Sequence, residues 1–363
     1  MRVSRDIIFS NRDILKEYRF IIVQHLLKDT YDFINILADC EIEVHSVIYI
    51  PYSVDKCVLN DITQKMNNVF ELSQDICKIC LDDAVERTKN DNKKIIILDL
   101  GGEYSDICNN YREYIECIVE DTHFGHWKYS NKKNEIPVYT VADSKLKEIE
   151  AIFVGKSIVD CSYNLLKQQG RSLLGKKVLL IGYGMIGQNV ADYLKSIGCN
   201  VFVNDIDNYR LLKANVNGYN TILNFEKDDI SDIDVIIGTT GKTSISEMII
   251  DRCKTRVLLI SGSSRKIEID FSILKFSQKY CELIDLYSYG DKDILVANSG
   301  EPINFLDKSV PDEVIDLLFS EMMIVIINKN KSKNEAGSDG LYRASYDCID
   351  FISRKWLEGK EML

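Results

Sequence analysis

A glycine-rich turn in the middle of the chain carries the strongest chemical signal in the sequence. The apolar run 178–181 leads directly into Gly182, Gly184 and Gly187, which have the spacing GxGxxG. The first glycine permits a tight turn after a strand, the second lets a phosphate approach the backbone, and the third lets a helix pack closely on the sheet. The N-terminus of that helix offers free N–H groups and positive dipole to phosphates. The motif therefore predicts a dinucleotide-binding turn.

The residues after this turn narrow the choice of dinucleotide. Asp205 ends the next apolar strand, eighteen residues after Gly187, where a carboxylate would meet the ribose diol of adenosine. An acid at this place favours NAD over NADP, because it would repel a 2′-phosphate. Two later strands, at 235–237 and 257–260, run into small and hydroxyl residues, as loops at the carboxyl edge of a parallel sheet do. The predicted NAD-binding residues in this half are Gly182, Gly184, Met185, Ile186, Gly187, Asp205, Thr239, Thr240 and Gly241.

Length, charge and cysteine content exclude several classes of protein. The chain has 363 residues, enough for two domains, and a net charge of −11 with no basic stripe, which argues against nucleic-acid or anionic-membrane partners. It contains no run of eighteen apolar residues, and its first residues lack a signal-peptide core. Its eleven scattered cysteines suggest reduced thiols, and the lone pair Cys77 and Cys80 is interpreted as buried core. We therefore expect a cytoplasmic protein.

The elements that must position these residues alternate between strand and helix. In the first half, apolar strands are predicted at 19–25, 44–50, 94–99 and 136–141, with helices at 29–38, 62–88 and 145–169. This alternation predicts an α/β fold of two doubly wound parallel-sheet domains, with a Rossmann NAD-binding domain in the second half and a cleft between the domains. The predicted boundaries are 1–151 plus 328–363 for a substrate-binding, catalytic domain and 152–327 for the NAD-binding domain with its hinge helices.

Three predictions concern the end of the chain. A helix at 312–327 is expected to carry the chain back across the hinge. The charged, glycine-containing segment 328–339 is expected to be mobile, and a terminal helix at 342–357 is expected to pack on the first domain.

All four histidines, His25, His45, His123 and His126, lie in the first 150 residues. The last two belong to the segment 120–126, which is dense in groups able to titrate or bind a metal. A polar surface loop explains this composition equally, and a metal site needs a third ligand that the sequence does not place. No metal is predicted, and a ligand role for these two histidines stays open.

The order of these motifs resembles the adenosylhomocysteinase family, the NAD-dependent hydrolases of adenosylhomocysteine. The resemblance covers residues 19–327, and no single motif carries it alone. The matching positions are 97–103, 119–122 with Gly125, Lys145, 182–187 with 205–207, 239–241 and Asn304.

The resemblance implies a mechanism and roles for particular residues. Such enzymes oxidise the 3′-hydroxyl of a ribose with NAD, eliminate the 5′ thiol, add water and then return the hydride. It implies that His25 is a cleft histidine, that Asp29 stands where an adenine-binding glutamate would, and that Asp121 replaces a catalytic glutamate. Thr122 would contact the nicotinamide side, and Lys145 would be the lysine associated with oxidation. Asn304 would join the cofactor-binding residues, and the resemblance also implies a homo-oligomer.

The chain departs from the family's pattern at several catalytic positions. Leu100 stands where the family has a catalytic aspartate, and Ile149 stands four residues after the lysine, where it has another. A leucine can neither orient a hydroxyl nor accept a proton. The remaining departures are Val154 for a cysteine near the nicotinamide, Ser263 or Ser264 for one histidine, Val310 for a second, and no counterpart of the C-terminal arm.

These observations lead to one hypothesis and two alternatives. The chain is predicted to be an NAD-dependent enzyme that oxidises a secondary, ribose-type hydroxyl of a nucleoside or related small metabolite. Lys145 would move the proton, with a pKa lowered by burial and by the nicotinamide, and Asp121 and His25 would assist. Whether hydrolysis survives the substitutions stays open. The first alternative is a catalytically silent NAD-binding regulator or partner subunit. A 2-hydroxyacid dehydrogenase is disfavoured, because no histidine follows His126.

Overall fold

The chain divides into two compact units in the computed structural model. The first unit contains residues 1–149 and 311–363, and the second contains residues 150–310. The structure describes residues 1–329 and 334–359, without the side chains of residues 334 and 335. The segment 328–339, which the sequence analysis expects to be mobile, therefore lies in part outside the described residues.

The first unit is built around a parallel sheet of continuously apolar strands, whose buried residues face helices on both sides. The elements up to the unit boundary are α1 Val3–Ser10, α2 Arg12–Leu15, β1 Tyr18–Leu26, α3 Lys28–Asp39, β2 Glu43–Val54, α4 Lys56–Lys65, β3 Val69–Glu71, α5 Gln74–Asp91, β4 Lys94–Asp99, β5 Ile115–Glu120, α6 His123–Ser130, β6 Val138–Thr140 and α7 Lys145–Gln168. The parallel strands follow the order β3-β2-β1-β4-β5-β6. The chain therefore reverses its direction of winding between β1 and β4, where such sheets bind ligands.

The predicted helix at 62–88 is two helices with a short strand between them. Asp55 caps α4 by accepting the backbone N–H of Cys57 at 2.8 Å, and Ser73 caps α5 by accepting that of Ile76 at 3.2 Å. Between the helices, β3 pairs in parallel with β2. The apolar residues of this segment belong to two separate helices, whereas the sequence analysis interpreted them as the buried face of one helix.

The second unit has the Rossmann arrangement. Its elements are β7 Lys177–Ile181, α8 Met185–Ser196, β8 Asn200–Asn204, α9 Asn208–Val216, β9 Asn220–Thr221, β10 Val235–Gly238, α10 Glu247–Arg252, β11 Leu258–Ser261, β12 Lys275–Cys281, β13 Ile284–Tyr289 and β14 Lys292–Ala297. The order β9-β8-β7-β10-β11-β14 is the Rossmann order, and β12 and β13 extend the sheet in antiparallel fashion beyond β14. The predicted α/β fold with a Rossmann domain in the second half is confirmed.

The C-terminal elements belong to the first unit. They are α11 Asp312–Ile327, β15 Asn334–Ala336, β16 Tyr342–Ala344 and α12 Tyr346–Glu358. The sequence analysis placed α11 with the NAD-binding domain, whereas its Phe319 stacks on Phe33 with ring centroids 4.1 Å apart in the first unit. Buried residues occur on all sides of this helix, so its sequence does not indicate which sheet it covers. Tyr342 starts a strand, and the predicted terminal helix begins only at Tyr346.

Asp316 of α11 anchors the start of the chain. Its carboxylate accepts the backbone N–H groups of Arg2, Val3 and Ser4 at 2.8–3.0 Å, together with the hydroxyl of Ser4. These N–H groups belong to the first turn of α1 and have no partner within that helix. Asp316 is buried, and it thus serves as the cap that the local sequence before α1 does not provide.

All eleven cysteines are free thiols, and Cys77 and Cys80 are buried in the core of the first unit. Burial raises the pKa of the Cys80 thiol. No helix within the described residues is long and apolar enough to cross a membrane.

Candidate functional site

The glycine-rich turn has the geometry that its sequence predicts. Gly182 directly follows β7 and has a φ of +100°, a conformation that side chains rarely allow. A Cβ on Gly187 would lie 2.0 Å from the carbonyl oxygen of Gly182, so only glycine lets α8 pack this closely. A Cβ on Gly184 would meet only the Nη1 of Arg210, at 3.6 Å. The second glycine therefore borders open space at the start of α8, where Met185 and Ile186 are half-buried.

Asp205 follows β8 and faces this turn. Its Oδ2 accepts the backbone N–H of Tyr183 at 2.6 Å, and its Oδ1 accepts that of Asp207 at 2.8 Å. Only 4% of the side chain is exposed. The carboxylate is thus oriented by the backbone of the loop beside which a ribose would lie.

Thr239, Thr240 and Gly241 form a second loop beside the glycine-rich turn. The hydroxyl of Thr239 donates to the carbonyl oxygen of Gly182 at 2.9 Å, which ties the two loops together. The backbone N–H groups of Thr240 and Gly241 donate to the carboxylate of Glu268. These three residues are therefore placed beside the turn that the sequence identified.

Glu268 is a functional candidate that the sequence analysis missed. It is fully buried, and it also accepts the hydroxyls of Thr240 and Ser244. Burial raises the pKa of its carboxyl. The only local signal was its position between Ile267 and Ile269, and the charged neighbours Lys266 and Asp270 make this segment resemble an ordinary surface loop.

Asn304 is buried in the second unit, away from solvent. Its side-chain amide donates to the hydroxyl of Ser309 at 3.1 Å, and its backbone carbonyl oxygen accepts the hydroxyl of Ser157 at 3.3 Å. The structure thus gives Asn304 a local structural role, and its predicted contact with the cofactor stays a prediction.

In the first unit, polar side chains meet at the carboxyl ends of β1 and β5. The amide of Gln24 donates to the Oδ2 of Asp121 at 3.4 Å, and its oxygen accepts the backbone N–H of His25 at 3.0 Å. The Nδ1 of His25 forms a short hydrogen bond with the hydroxyl of Ser53. Gln24, which the sequence analysis did not select, therefore links Asp121 to the backbone of His25, while the His25 ring contacts Ser53.

Lys147, rather than Lys145, reaches this cluster. The Nζ of Lys147 lies 2.8 Å from the Oδ1 of Asp121, and its side chain is 14% exposed. The side chain of Lys145 is 76% exposed and pairs with Glu148, so it lacks the burial that the sequence analysis expected. Successive helical residues point 100° apart, so two positions along α7 change the direction of the side chain by about 200°. The structure therefore differs from the sequence-based choice of lysine.

Glu321 of α11 lies beside the same pair. Its Oε2 accepts the hydroxyl of Ser144 at 2.7 Å, and Ser144 in turn accepts the backbone N–H of Lys147 at 3.1 Å. Burial raises the pKa of Glu321 to about 8, and the charges of Asp121 and Asp143 act in the same direction, while that of Lys147 opposes them. The sequence signal was an acid in the otherwise largely apolar C-terminal part of α11.

A buried carboxylate also supports the loop after β4. Glu120 accepts the backbone N–H groups of Gly101 at 3.0 Å and Gly102 at 2.9 Å. Burial and the neighbouring Asp99 raise the pKa of Glu120 to about 8. A Cβ on Gly125 would lie 2.1 Å from the Cδ of Glu120, which explains the glycine that follows Thr122.

The residues around this loop include the main departure from the family pattern. Leu100 packs in an apolar cluster of the first unit, so the position carries no proton-transfer group. Ile149 is 38% exposed.

Thr122 caps α6 by accepting the backbone N–H of Gly125 at 3.1 Å and donates to Glu120 at 2.7 Å. Asp29 is buried at the start of α3, where it accepts the N–H of Thr30 at 2.6 Å.

His123 and His126 are held by protein groups. Their rings lie 6.1 Å apart, and the Nε2 of His126 lies 3.3 Å from the Oδ2 of Asp339. Burial lowers the pKa of His126. Among residues 1–329 and 334–359, no three histidine, cysteine or acidic side chains are grouped as metal ligands.

The second unit fits NAD on its geometry. Gly184 leaves room at the start of α8, Gly187 fixes the helix against the turn, and Asp205 is oriented by two backbone N–H groups. The room at Gly184 would let phosphates reach the N-terminus of α8, and the carboxylate of Asp205 would meet a ribose diol.

Comparison with known proteins agrees with this assignment. Residues 152–306 match the family described as the NAD-binding domain of S-adenosyl-L-homocysteine hydrolase. The adenosylhomocysteinase of Archaeoglobus fulgidus is 25% identical over 69% of this chain and 63% of its own length, and that of Sulfolobus acidocaldarius is 26% identical over 66% and 61%. The chain thus spans less than two thirds of these relatives.

Two further proteins are similar to this chain. The S-inosyl-L-homocysteine hydrolase of Methanopyrus kandleri is 25% identical over 62% of this chain and 54% of its own. Among solved structures, the A chain of dipicolinate synthase from Bacillus subtilis has a TM-score of 0.49 and 15% identity, over 87% of this chain and 99% of that one. The resemblance drawn from the sequence is confirmed by the family match over residues 152–306 and by the curated relatives, and NAD is the cofactor of the second unit.

Proposed function

We propose that the chain is an NAD-dependent enzyme that oxidises a secondary, ribose-type hydroxyl of a nucleoside or a related small metabolite. The observation that carries the proposal is the buried pair of Lys147 and Asp121, linked through Gln24 to His25. Removing an ion pair from water costs desolvation free energy, so a buried pair contributes little to stability. Titratable groups in such surroundings are common at reaction sites. The first unit would bind the substrate, and the second would bind NAD.

In this proposal the side chains of the first unit move the proton. After Lys147 has released its own proton to water, its amine would accept the proton of the substrate hydroxyl, and Asp121 would stabilise the ammonium that results. NAD, held by the glycine-rich turn and Asp205, would supply the hydride acceptor that oxidation of this hydroxyl to a ketone requires. His25, whose ring is hydrogen-bonded to Ser53, would help to orient a neighbouring hydroxyl of the substrate. Lys147 replaces Lys145 in this role because Lys145 is exposed and paired with Glu148.

The test combines the cofactor with a panel of nucleosides. Protein saturated with NAD is incubated with adenosine, inosine and their homocysteine thioethers, and reduced nicotinamide is followed by absorbance. We expect reduction with at least one compound and a fall of at least about 100-fold in rate for Lys147→Ala, since a general base contributes about 10²–10⁴-fold. Lys145→Ala, a matched removal of a lysine two residues away, should retain the rate. A rate that depends on Lys145 instead would contradict the proposal.

Thiol release from adenosylhomocysteine tests the hydrolytic part of the family reaction. Leu100 is packed in the core where the family has an acid, so we expect oxidation without appreciable thiol release. Leu100→Asp should raise thiol release if the acid is the missing group.

A silent NAD-binding regulator is the second candidate, and the apolar side chain of Leu100 favours it. It predicts NAD binding with no reduction by any nucleoside, and an unchanged NAD affinity in Lys147→Ala. The expected homo-oligomer is a separate proposal, which light scattering of the purified protein tests directly.

A further inference from the structure

Arg210 lies where the adenosine end of a dinucleotide would be bound. It is part of α9, and its Nη1 is 4.0 Å from the Oδ2 of Asp205 and 3.6 Å from the position of a Cβ on Gly184. The side chain of Arg210 is 52% exposed, whereas that of Asp205 is 4% exposed. A ligand that approaches this edge of the turn therefore meets a guanidinium before it meets the carboxylate.

The charge of Asp205 is also partly balanced within the protein. Both of its oxygens accept backbone N–H groups, from Tyr183 and from Asp207. Asp207 lies 3.7 Å from the Nε of Arg210 and orients the guanidinium from its other side. A second cation follows one turn later on α9, where the Nζ of Lys213 donates to Gln188 of α8 at 2.7 Å. Two cations thus stand beside the start of α8.

We propose that Arg210 determines which nicotinamide dinucleotide the second unit accepts, and that it gives the site affinity for NADP as well as NAD. The two dinucleotides differ by one phosphate, on the 2′-oxygen of the adenosine ribose. A guanidinium binds phosphate oxygens in pairs, through two parallel N–H donors. Arg210 offers this group beside the carboxylate that would otherwise repel the phosphate. The inference rests on NAD binding by this unit and is independent of the reaction proposed for the first unit.

The expected affinities follow from this geometry. An acid with no cation beside it would discriminate strongly against a 2′-phosphate, because like charges at close range repel. With Arg210 in place we expect the dissociation constant of NADP to be within about tenfold of that of NAD. Replacement of Arg210 by alanine should raise the dissociation constant of NADP at least about tenfold, a typical effect of losing one charge-assisted hydrogen bond. That of NAD should change less than about threefold.

Calorimetric titration of the purified full-length protein, stripped of bound nucleotide, measures both constants. The variants are Arg210→Ala, Arg210→Lys and Arg252→Ala, which removes an equal charge from an exposed position on α10 of the same unit. Arg252→Ala should leave the ratio of the two constants unchanged. Arg210→Lys should fall between wild type and Arg210→Ala, because it keeps the charge and loses the paired donors. Melting temperatures of all variants establish that each is folded.

Two results would overturn the inference. One is a wild-type protein whose NADP dissociation constant exceeds that of NAD by more than about tenfold. The other is a ratio of the two constants that Arg210→Ala leaves as it was, whether or not both constants rise together. Retained NAD binding in either case would keep the cofactor assignment intact, and reduction of NAD by nucleosides is measured separately, so failure here is distinguishable from failure of the proposed reaction.

Discussion

The two units share one strand order and differ in what they place at the point where the winding reverses. In both, six parallel strands follow the order 3-2-1-4-5-6. The second unit presents backbone there, because Gly182 and Gly187 clear space between strand and helix. The first unit presents side chains, with Lys147, Asp121 and His25 within one hydrogen-bonded cluster. The same scaffold thus supports a phosphate-binding turn in one case and a proton-transfer cluster in the other.

A second similarity lies beneath the loops. Glu120 in the first unit and Glu268 in the second are both buried, and each accepts two consecutive backbone N–H groups of a glycine-containing loop. Burial raises the pKa of both carboxyls. Each unit therefore fixes its loop with an internal acceptor, so that the loop needs no ligand to hold its shape.

The prediction with the largest expected effect concerns two glycines that lie very close to other protein atoms, one in each unit. Gly187→Ala would place a Cβ 2.0 Å from a carbonyl oxygen, and Gly125→Ala would place one 2.1 Å from the Glu120 carboxyl. We expect each to cost about 3 kcal/mol and to lower the melting temperature by about 10 °C. Differential scanning calorimetry measures both. Gly184→Ala, whose Cβ meets only Arg210 at 3.6 Å, is the matched control and should melt within about 2 °C of wild type. If Gly125→Ala lowered the melting temperature only slightly, the first unit would not depend on its glycine as the second unit does.

A smaller expected effect is the dependence of stability on pH that comes from Glu321 of the first unit. The pKa of Glu321 is raised to about 8 from the usual value of 4.5. A raised pKa means stability that is complete below about pH 4.5 and is lost as the pH rises through 8. Wild type should therefore lose stability over this range, whereas Glu321→Gln should lose less, because the contribution of Glu120 remains. We expect the melting temperature of the variant to gain about 5 °C on wild type between pH 5 and pH 9.

The control for this experiment is Glu148→Gln, which removes a glutamate from a half-exposed side chain of the first unit. Its difference from wild type should vary little with pH. A difference for Glu321→Gln that is equally flat would show that the carboxyl is ionised throughout this range, and would remove Glu321 from the cluster of Lys147 and Asp121.

The smallest effect marks the limit of the cluster in the first unit. Lys145 forms a surface pair with Glu148, and its side chain is 76% exposed. Such pairs contribute at most about 0.5 kcal/mol. Lys145→Ala should therefore lower the melting temperature by less than about 2 °C. A larger loss would mean that the cluster extends to the start of α7, and thermal denaturation of the two lysine variants side by side would reveal it.

The sequence predicted the second unit well because its chemistry is local. Gly182, Gly187 and Asp205 act through the backbone next to them, and strand, turn and helix follow one another along the chain. The parallel sheets were also predictable, since buried strands such as β4 have a continuous apolar run. Predictions about these elements needed no information from distant residues.

The cluster in the first unit was harder to predict because its members come from four distant segments. Lys145 and Lys147 are equally lysines near a helix start, and only the position of Asp121 decides between them. Glu321 reaches the cluster on α11, a helix apolar on all sides that could have covered either sheet. Asn304 has partners that explain its burial without a ligand, so its sequence match alone does not decide its role.

The cap that Asp316 provides for α1 sets an order of events during synthesis. α1 emerges from the ribosome before the second unit, yet its cap is translated more than three hundred residues later. The second unit is a continuous segment, 150–310, that is complete before Asp316 exists. Since domains generally fold as units while the chain is made, the NAD-binding unit can mature on the ribosome while the N-terminal half still waits for α11. The first unit, which begins before the second unit in the chain, can therefore complete its folding only after the second unit has been synthesised.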